Sequence, residues 1–466
     1  MKSLRFPLFI STFYCAALFL LISSCSKDET VVPKIDLPKE EIENLLPEDR
    51  LPQISINTEG QPIVDEPKVD ADMVITTFGG VDYEGKIGIE IRGASSQFFA
   101  KKSFGIETRD ASNADFSVSL LGMPEEEDWV LYGPFSDKSL MRNKLIYDLA
   151  REMGGYASRT AFVELSINDS YQGLYVFMEK LKRNKDRIDI SKLTPDENTG
   201  EDLTGGYIIK IDKINIDGGE TYNDQNSFSS SYSPPNANLG QTVHFLYEYP
   251  KEEDISAEQK TYISDYIQQF ENALNSNAFD NPDTGYANYI DVPTFIDFFL
   301  LNELSNNVDG YRLSTFMHKG KNEKLKMGPI WDFNLAFGNA DYCSGGEPNV
   351  WAYKFNERCA DDFWLVPFWW ERLLQDPAYV EQLKARWNTL RGGIFSDAAL
   401  QAQIEAYQIA LTKAGAIDTN FDKWNIMGSY VWPNNYVGIS YTDDLGYLKG
   451  WISNRLVWLD GAIAAL

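Results

Sequence analysis

The chain has 466 residues, of which 43% are hydrophobic and 14% aromatic, and this composition excludes an intrinsically disordered protein. Its formal net charge of −27 repels phosphate backbones and anionic lipids, so we expect no nucleic-acid partner and no electrostatic membrane binding. The sequence has only two histidines, His244 and His318, so it does not favour a Ser-His-Asp hydrolase. Nothing in the sequence indicates an oligomeric state.

The first 25 residues have the pattern of a bacterial lipoprotein signal peptide. Lys2 and Arg5 precede a largely apolar stretch at residues 6–22, and small residues then lead to Cys25. The alternative is a membrane-spanning helix, but the stretch is on the short side for one. We therefore expect residues 1–25 to be a signal peptide whose Cys25 carries the acyl anchor, the only link to the membrane.

Residues 26–50 are rich in Pro, Glu, Asp and Lys, and this composition predicts a flexible tether. The tether begins with Ser-Lys-Asp-Glu, which resembles the acidic tag of lipoproteins exported to the outer face of a Gram-negative outer membrane. We therefore expect a surface-exposed lipoprotein of the outer membrane.

The first part of the folded chain, residues 51–180, is predicted to be a β-rich lobe. Apolar and polar residues alternate there as in half-buried antiparallel strands. The predicted strands are residues 51–57, 71–77, 86–92, 101–107, 161–167 and 173–179. One helix is expected to interrupt them, capped by Asp137 and extending to Met153.

Two lysines in the strand predicted at 101–107 differ in their expected direction. Alternation places Lys102 on the same face as Phe104 and Ile106, and so points it inward, while Lys101 points to solvent. An inward lysine after the small-residue turn at 93–97 suits a phosphate contact. The alternative is a lysine that snorkels at a sheet edge.

The second part, residues 181–466, is predicted to be a mainly helical lobe. The polar segment 215–241 has the composition of a long surface loop. Beyond it, apolar residues recur with helical spacing. The predicted helical segments are residues 263–274, 295–304, 368–391 and 398–414.

Two aspartates occur in polar, glycine-flanked stretches of this lobe. Asp309 follows Asn306 and Asn307, and Asp332 follows Trp331. Two short strands at 313–319 and 323–327, joined around residues 320–322, would return the chain to the same place. A kinase uses one carboxylate to orient the attacking hydroxyl and another to hold a divalent metal. Two exposed turn aspartates are the alternative.

The sequence contains four cysteines. Cys15 and Cys25 belong to the signal peptide, which leaves Cys343 and Cys359 in the folded part. In an exported protein this pair predicts one disulfide. A metal site is the weaker alternative, because a thiolate pair without a nearby histidine makes a poor zinc site.

Five motifs follow one another along the chain. They are Arg92–Ser96 with Lys101–Phe104, Leu140–Asn143, Tyr171–Tyr175 with Glu179, Asn307–Asp309, and Trp331–Asn334. In this order they resemble the CotH kinase family, which is named for a spore-coat protein kinase, and the resemblance covers residues 52–424. The resemblance implies an α+β, atypical protein-kinase-like fold with a β-rich N-lobe, a mainly helical C-lobe and a nucleotide between them.

The resemblance also implies roles for individual residues. Asp309 would be the catalytic aspartate, and the cofactor would be ATP with Mg²⁺ or Mn²⁺. Glu179 would lie near the hinge between the lobes or close to the lysine. The implied nucleotide-binding residues are Lys102, Lys101, Arg92, Ser95, Ser96 and Glu179, with Ser95 and Ser96 in the covering loop; the implied metal ligands are Asp332, Asn334 and Ser314.

Two positions depart from the family pattern. Ser314 stands where kinase catalytic loops usually carry an asparagine, and Asn334 stands where many relatives have an aspartate. Because hard cations prefer charged oxygen ligands, both changes are expected to lower metal affinity.

Two functions follow as hypotheses. The first is an exported kinase that transfers a phosphoryl group to a protein serine or threonine, or to a glycan hydroxyl. The alternative is a non-catalytic, surface-anchored adhesion or glycan-binding protein on a kinase-like scaffold.

Overall fold

The computed structural model describes residues 49–214 and 219–466. The predicted signal peptide, its Cys25 and the tether up to residue 48 lie outside the described residues and remain predictions. Within the described part, no helix combines the length and apolar character that a membrane crossing would require.

Seven strands of the first part close into a barrel, with β7 between β5 and β6. The neighbouring strands are antiparallel, except that the first and sixth strands pair in parallel and so close the sheet. The strands are β1 (Gln53–Asn57), β2 (Val69–Thr77), β3 (Gly80–Arg92), β4 (Ser103–Arg109), β5 (Asp128–Tyr132), β6 (Thr160–Ile167) and β7 (Ser170–Glu179). All six strands predicted from alternation are therefore present.

The alternating apolar residues explain the barrel. Ile54 pairs with Ile75 on one side and with Leu165 on the other, and all three side chains are buried. Ile89 and Ile106 form another buried cross-strand pair, which adds to the same core. Burial of these side chains on one face fixes the register, since a shift by one residue would expose them.

A second sheet of five strands lies in the second part of the chain, in the order β12, β11, β8, β10, β9. The strands are β8 (Tyr207–Ile211), β9 (Ser227–Ser229), β10 (His244–Tyr249), β11 (Thr315–Lys319) and β12 (Lys326–Met327). The hairpin predicted around residues 320–322 is confirmed as β11 and β12. Strands β8 to β10 were not predicted; β9 lies inside the segment expected to be a loop.

The other main elements are α-helices, one in the first part of the chain between β5 and β6 and the others in the second part, and they share one large core with parts of the barrel and the second sheet. They are α1 (Arg142–Glu152), α2 (Ala257–Asn275), α3 (Val292–Ser305), α4 (Phe355–Arg358), α5 (Trp369–Leu373), α6 (Pro377–Arg391), α7 (Asp397–Lys413), α8 (Ala416–Lys423) and α9 (Tyr441–Ala464). The α+β class, with a β-rich N-terminal region and helices toward the C-terminus, is thus confirmed. The two-lobed kinase-like arrangement remains a prediction.

Helix α1 begins later than predicted. Asp137 does not cap it directly, because the helix starts at Arg142 and Asp137 lies in the preceding turn. The carboxylate of Asp137 accepts hydrogen bonds from the backbone N–H of Ser139 and of Arg142. The same carboxylate pairs with the Arg142 guanidinium at 2.6 Å, and both side chains are buried.

A buried glutamate in α2 makes the stability of this fold depend on pH. The Glu271 carboxylate accepts hydrogen bonds from the Trp369 indole at 2.9 Å and from the Ser230 hydroxyl, and burial raises its pKa to about 7. A raised pKa in the folded state adds stability below the unfolded value, near 4.5, which is lost as pH rises through 7.

We expect Glu271→Gln to remove this pH dependence. The free energy of unfolding of the natural protein, relative to the variant, should fall by about 2–3 kcal/mol between pH 5 and pH 8. Urea denaturation of both proteins at the two pH values measures the difference. Parallel stability profiles for the two proteins would refute the expectation.

Candidate functional site

The two predicted aspartates lie at one cavity of about 210 Å³. Asp309 is in the turn that follows α3, and Asp332 is in the segment that follows β12. Another part of the lining comes from the end of β3 and the turn after it. Other polar residues at the cavity include Arg92, Ser95, Ser96, Ser103, Asn143, Asp212, Lys213, Ser314 and Asn334.

Asp309 is held by an arginine and a tyrosine. The Arg312 guanidinium donates to Asp309 Oδ1 at 3.0 Å, and the Tyr342 hydroxyl donates to the same oxygen at 3.4 Å. The Asp309 backbone N–H donates to the side-chain oxygen of Asn307 at 3.2 Å. The aspartate is 18% exposed whereas Arg312 is 3% exposed, so the carboxylate faces the cavity from a buried support.

Helix α1 positions Asp332. The backbone N–H of Asp332 donates to the Tyr147 hydroxyl at 3.0 Å, and that of Phe333 donates to Asn143 Oδ1 at 2.8 Å. Asp332 has a φ of +60°, a left-handed conformation that few residues adopt without such support. The motif residue Asn143 therefore acts by shaping the Asp332 segment.

Charges of both signs meet around Asp332. Burial raises its pKa to about 6, and the negative charge of Asp309 contributes, while Arg92 and Lys213 act in the opposite direction. Burial also raises the pKa of Asp212, whose nearest cation is Lys210 at 3.9 Å. A cation bound at the cavity would offset the repulsion from Asp309, which adds to the effect of burial on the Asp332 pKa.

The turn after β3 forms a close-fitting wall. Gly93 has a φ of +103°, and a Cβ at this position would lie 2.0 Å from Ser96 Oγ, so only glycine fits. Ser95 Oγ accepts a hydrogen bond from Lys213 Nζ at 3.5 Å. Arg92 lies over the Trp331 ring at 5.4 Å. The implied residues Arg92, Ser95 and Ser96 are thus at the cavity, and Lys213 joins them.

The predicted directions of the two lysines are wrong. Lys101 is the buried one: its Nζ donates to the Leu174 carbonyl at 2.5 Å and to Asn420 Oδ1 at 2.8 Å. Burial holds the pKa of Lys101 well below its usual value. Lys102 Nζ donates to the backbone carbonyls of Gln97 and Phe99. Among the described residues that line the cavity, neither lysine is found.

The ion-pair partners of Glu179 are arginines and not Lys101 or Lys102. It ends β7, is fully buried and pairs with the Arg159 guanidinium at 2.7 Å. Its other oxygen accepts a hydrogen bond from the backbone N–H of Arg159 at 2.9 Å, and Arg187 lies 3.7 Å away. Glu179 therefore pairs with arginines, whereas a position close to the lysine is one of its two expected positions.

The three implied metal ligands, Asp332, Asn334 and Ser314, all line the cavity. Asp212 adds a third carboxylate to the two predicted ones, so the cavity offers the oxygen ligands that Mg²⁺ and Mn²⁺ prefer. The residues present therefore fit a divalent cation. They also fit a phosphate chain, since Arg92 and Lys213 supply positive charge.

A different acidic cluster has a structural explanation. Within residues 49–214 and 219–466, the oxygens of Glu126, Glu127 and Asp128 form a set of three carboxylates within 4.8 Å. The ammonium group of Lys182 pairs with all three, and Arg187 lies 3.3 Å from Glu126. Protein cations thus already neutralise this cluster.

Sequence reasoning missed Asp212, Lys213, Tyr147 and Trp432 at the cavity. Asp212 and Lys213 come directly after β8, so the signal available was a charged pair at the end of an apolar strand. Trp432 is 49% exposed and stacks against Tyr342 with a ring-centroid distance of 6.4 Å. No spacing pattern connects this tryptophan with Asp309.

The pair Cys343 and Cys359 forms the predicted disulfide. The linked Cα atoms are 5.9 Å apart, and the bridge closes a loop that begins directly after Tyr342. The disulfide therefore lies one residue from a side chain that contacts Asp309.

The chain matches the model of a known protein family. The family model described as CotH kinase protein matches residues 89–459. The match begins later and extends further than the similarity expected at residues 52–424, and it includes every residue named at the cavity. The search of curated proteins finds no match. Because the model covers most of the 466 residues, the chain belongs to the CotH kinase protein family.

Proposed function

We propose that this protein is an ATP-dependent phosphotransferase that moves the γ-phosphoryl group to a hydroxyl of a protein serine or threonine, or of another acceptor. One observation carries the proposal: Asp309 and Asp332, from separate segments, line one cavity with Arg92 and Lys213. Phosphoryl transfer needs two such carboxylates and positive charge for the phosphates.

The geometry supports a division of roles between the aspartates. Asp309 is fixed by Arg312 and Tyr342, and a carboxylate held in this way can orient an acceptor hydroxyl and accept its proton. Asp332, with Asp212, Asn334 and Ser314, would hold Mg²⁺ or Mn²⁺. A bound divalent ion would neutralise charge that develops on the phosphates.

The residues proposed to bind the phosphates differ in part from those that the family resemblance implies. Arg92 and Lys213 take the place expected for Lys102, and the turn that contains Gly93, Ser95 and Ser96 would cover the phosphates. This arrangement supplies a guanidinium and an ammonium group without the strand lysine of ordinary kinases.

The sequence also supports a cellular location for the protein. The lipoprotein signal at residues 1–25 supports a protein anchored through Cys25 on the surface of a Gram-negative outer membrane. The acceptor would then be a protein or glycan exposed at the same surface or exported with the enzyme.

Thermal shift with nucleotide and metal tests the binding half of this proposal. ATP with Mg²⁺ or Mn²⁺ should raise the melting temperature, since ligand at a hundred times its Kd adds about 2.7 kcal/mol. Asp332→Asn should abolish the metal-dependent rise. Asp418→Asn is the matched control, because Asp418 is an exposed aspartate of α8 away from the cavity residues.

A shift that is equal in the natural protein and in Asp332→Asn would contradict the assignment of the metal site. No shift with any nucleotide or metal would contradict nucleotide binding altogether. Glycan binding that ignores ATP would then support the adhesion function instead.

A further inference from the structure

A covalent link joins the two segments that support Asp309. Cys343 lies in the first, residues 342–347, and Cys359 lies in the second, residues 359–364. Neither segment contains a described helix or strand, so their positions depend on turns within each segment, on side-chain contacts and on the disulfide. We call them the first and the second support segment, and residues 306–313 the Asp309 loop.

The first support segment contacts Asp309 itself and also Asn306, the first residue of the Asp309 loop. Tyr342 donates its hydroxyl hydrogen to Asp309 Oδ1 at 3.4 Å. At the start of the loop, the side-chain amide of Asn306 donates to the carbonyls of Ser344 and Glu347, each at 3.0 Å. Val308 packs in a small apolar cluster with Tyr342 beside it. A shift of this segment would therefore displace the Asp309 loop.

The second support segment acts through an arginine. Asp362 Oδ1 accepts a hydrogen bond from Arg312 Nη1 at 3.1 Å, while Arg312 Nη2 donates to Asp309 at 3.0 Å. The Trp364 carbonyl lies 3.3 Å from the same Nη1. The guanidinium stacks over the Phe355 ring at 4.0 Å. The orientation of Arg312, and through it that of Asp309, thus depends on residues 362–364.

From this we infer that the Cys343–Cys359 disulfide keeps Tyr342 and Asp362 in register, and that these two positioning residues orient Asp309. Tyr342 precedes one half-cystine directly, and Asp362 donates its backbone N–H to the Cys359 carbonyl at 3.0 Å. Besides the disulfide, the Arg358 side chain reaches the Cys343 carbonyl at 3.2 Å. A cross-link of this kind limits the conformations of loops that no sheet or helix restrains.

The nucleotide side of the cavity does not depend on this link. Arg92 is at the end of β3, Lys213 follows β8, and Asp332 is held by Tyr147 of α1. Reduction of the disulfide should therefore loosen Asp309 while leaving nucleotide binding intact. The consequence for catalysis rests on the proposed function, whereas the consequence for the mobility of the Asp309 loop does not.

We therefore expect the position of Asp309 to be sensitive to dithiols. Reduction takes two electrons and two protons from a dithiol, which leaves as a disulfide, and it converts Cys343 and Cys359 into two thiols. Outside the cell the disulfide persists. The predicted export and the disulfide together would keep the transfer site assembled where the protein acts.

Hydrogen exchange provides a test that needs no activity. We compare the oxidised protein, the dithiol-reduced protein and the variant Cys343→Ser/Cys359→Ser. Exchange of the amides in residues 306–313 should quicken by about tenfold or more in the latter two, and exchange in residues 328–334 should not change. Equal exchange in residues 306–313 in all three, or faster exchange across the whole protein, would overturn the inference.

Activity measurements extend the test. Reduction should lower kcat for phosphoryl transfer by about tenfold without changing the Kd for ATP, and reoxidation should restore kcat. The double serine variant should show the low kcat with and without dithiol, which excludes an unrelated effect of the reductant. Tyr342→Phe, with the disulfide intact, should also lower kcat alone.

An unchanged kcat after reduction would overturn the positioning role. If the oxidised protein transfers no phosphate and binds no ATP, the proposed function fails, and the exchange experiment still decides whether the disulfide holds the Asp309 loop.

Discussion

Asp309→Asn is expected to lower the rate of phosphoryl transfer by about 10²–10⁴-fold, the range typical for loss of a general base. Asparagine keeps the shape of the side chain and an oxygen for Arg312 and Tyr342, but it cannot accept the acceptor's proton. Transfer from γ-labelled ATP measures the rate, and the Kd for ATP with metal should stay nearly unchanged.

The matched control for this variant is Asp341→Asn. Asp341 is exposed, bonds to the Tyr430 hydroxyl at 2.7 Å and is not among the residues that line the cavity. It should transfer phosphate as the natural protein does. Transfer that survives in Asp309→Asn would show that this aspartate is not the catalytic residue.

Arg455→Met should have the largest effect on stability. Arg455 and Glu303 are both fully buried and pair at 3.1 Å, and Glu303 also accepts hydrogen bonds from the backbone of Ala352 and Tyr353. Loss of the arginine leaves a buried carboxylate without its counter-ion. Breaking such a pair costs about 3–5 kcal/mol, which urea denaturation measures.

Arg391→Met serves as the comparison for this loss. Arg391 pairs with Asp460 at 2.9 Å, but Asp460 is 45% exposed, so this loss should be below about 1 kcal/mol. An equal loss of stability in the two variants would contradict the importance of the buried pair. Because Glu303 lies two residues before the end of α3, the Asp309 loop should also lose order in Arg455→Met.

Local patterns predict the hairpin between Asp309 and Asp332 and six of the seven barrel strands, but not β5. Alternation is clear where one face of a strand is buried, as in β1 and β2. The same reasoning failed for Lys101 and Lys102. Strand β4 begins at Ser103, after a bend, so neither lysine obeys the alternation of the strand. The strand thus begins two residues later than the start predicted at residue 101.

Asp212 and Lys213 could not be predicted from local pattern for a different reason. Strand β8 is buried over nearly its whole length and shows no alternation. The local sequence therefore does not indicate which face of β8 packs against the core or with which strands it pairs. The end of β8 reaches the cavity because Ile211 pairs with Thr315, the first residue of β11, and β11 begins shortly after the Asp309 loop. Pairing between strands so distant in sequence is a property of the whole fold.

The most direct test of the account is transfer of labelled γ-phosphate from ATP by the natural protein with Mn²⁺ or Mg²⁺, in the presence of serine- and threonine-containing proteins and of glycans. We expect metal-dependent labelling of at least one acceptor, and none with Asp309→Asn. Absence of labelling in every acceptor and in the protein itself, although ATP and metal bind, would contradict the proposed phosphotransferase.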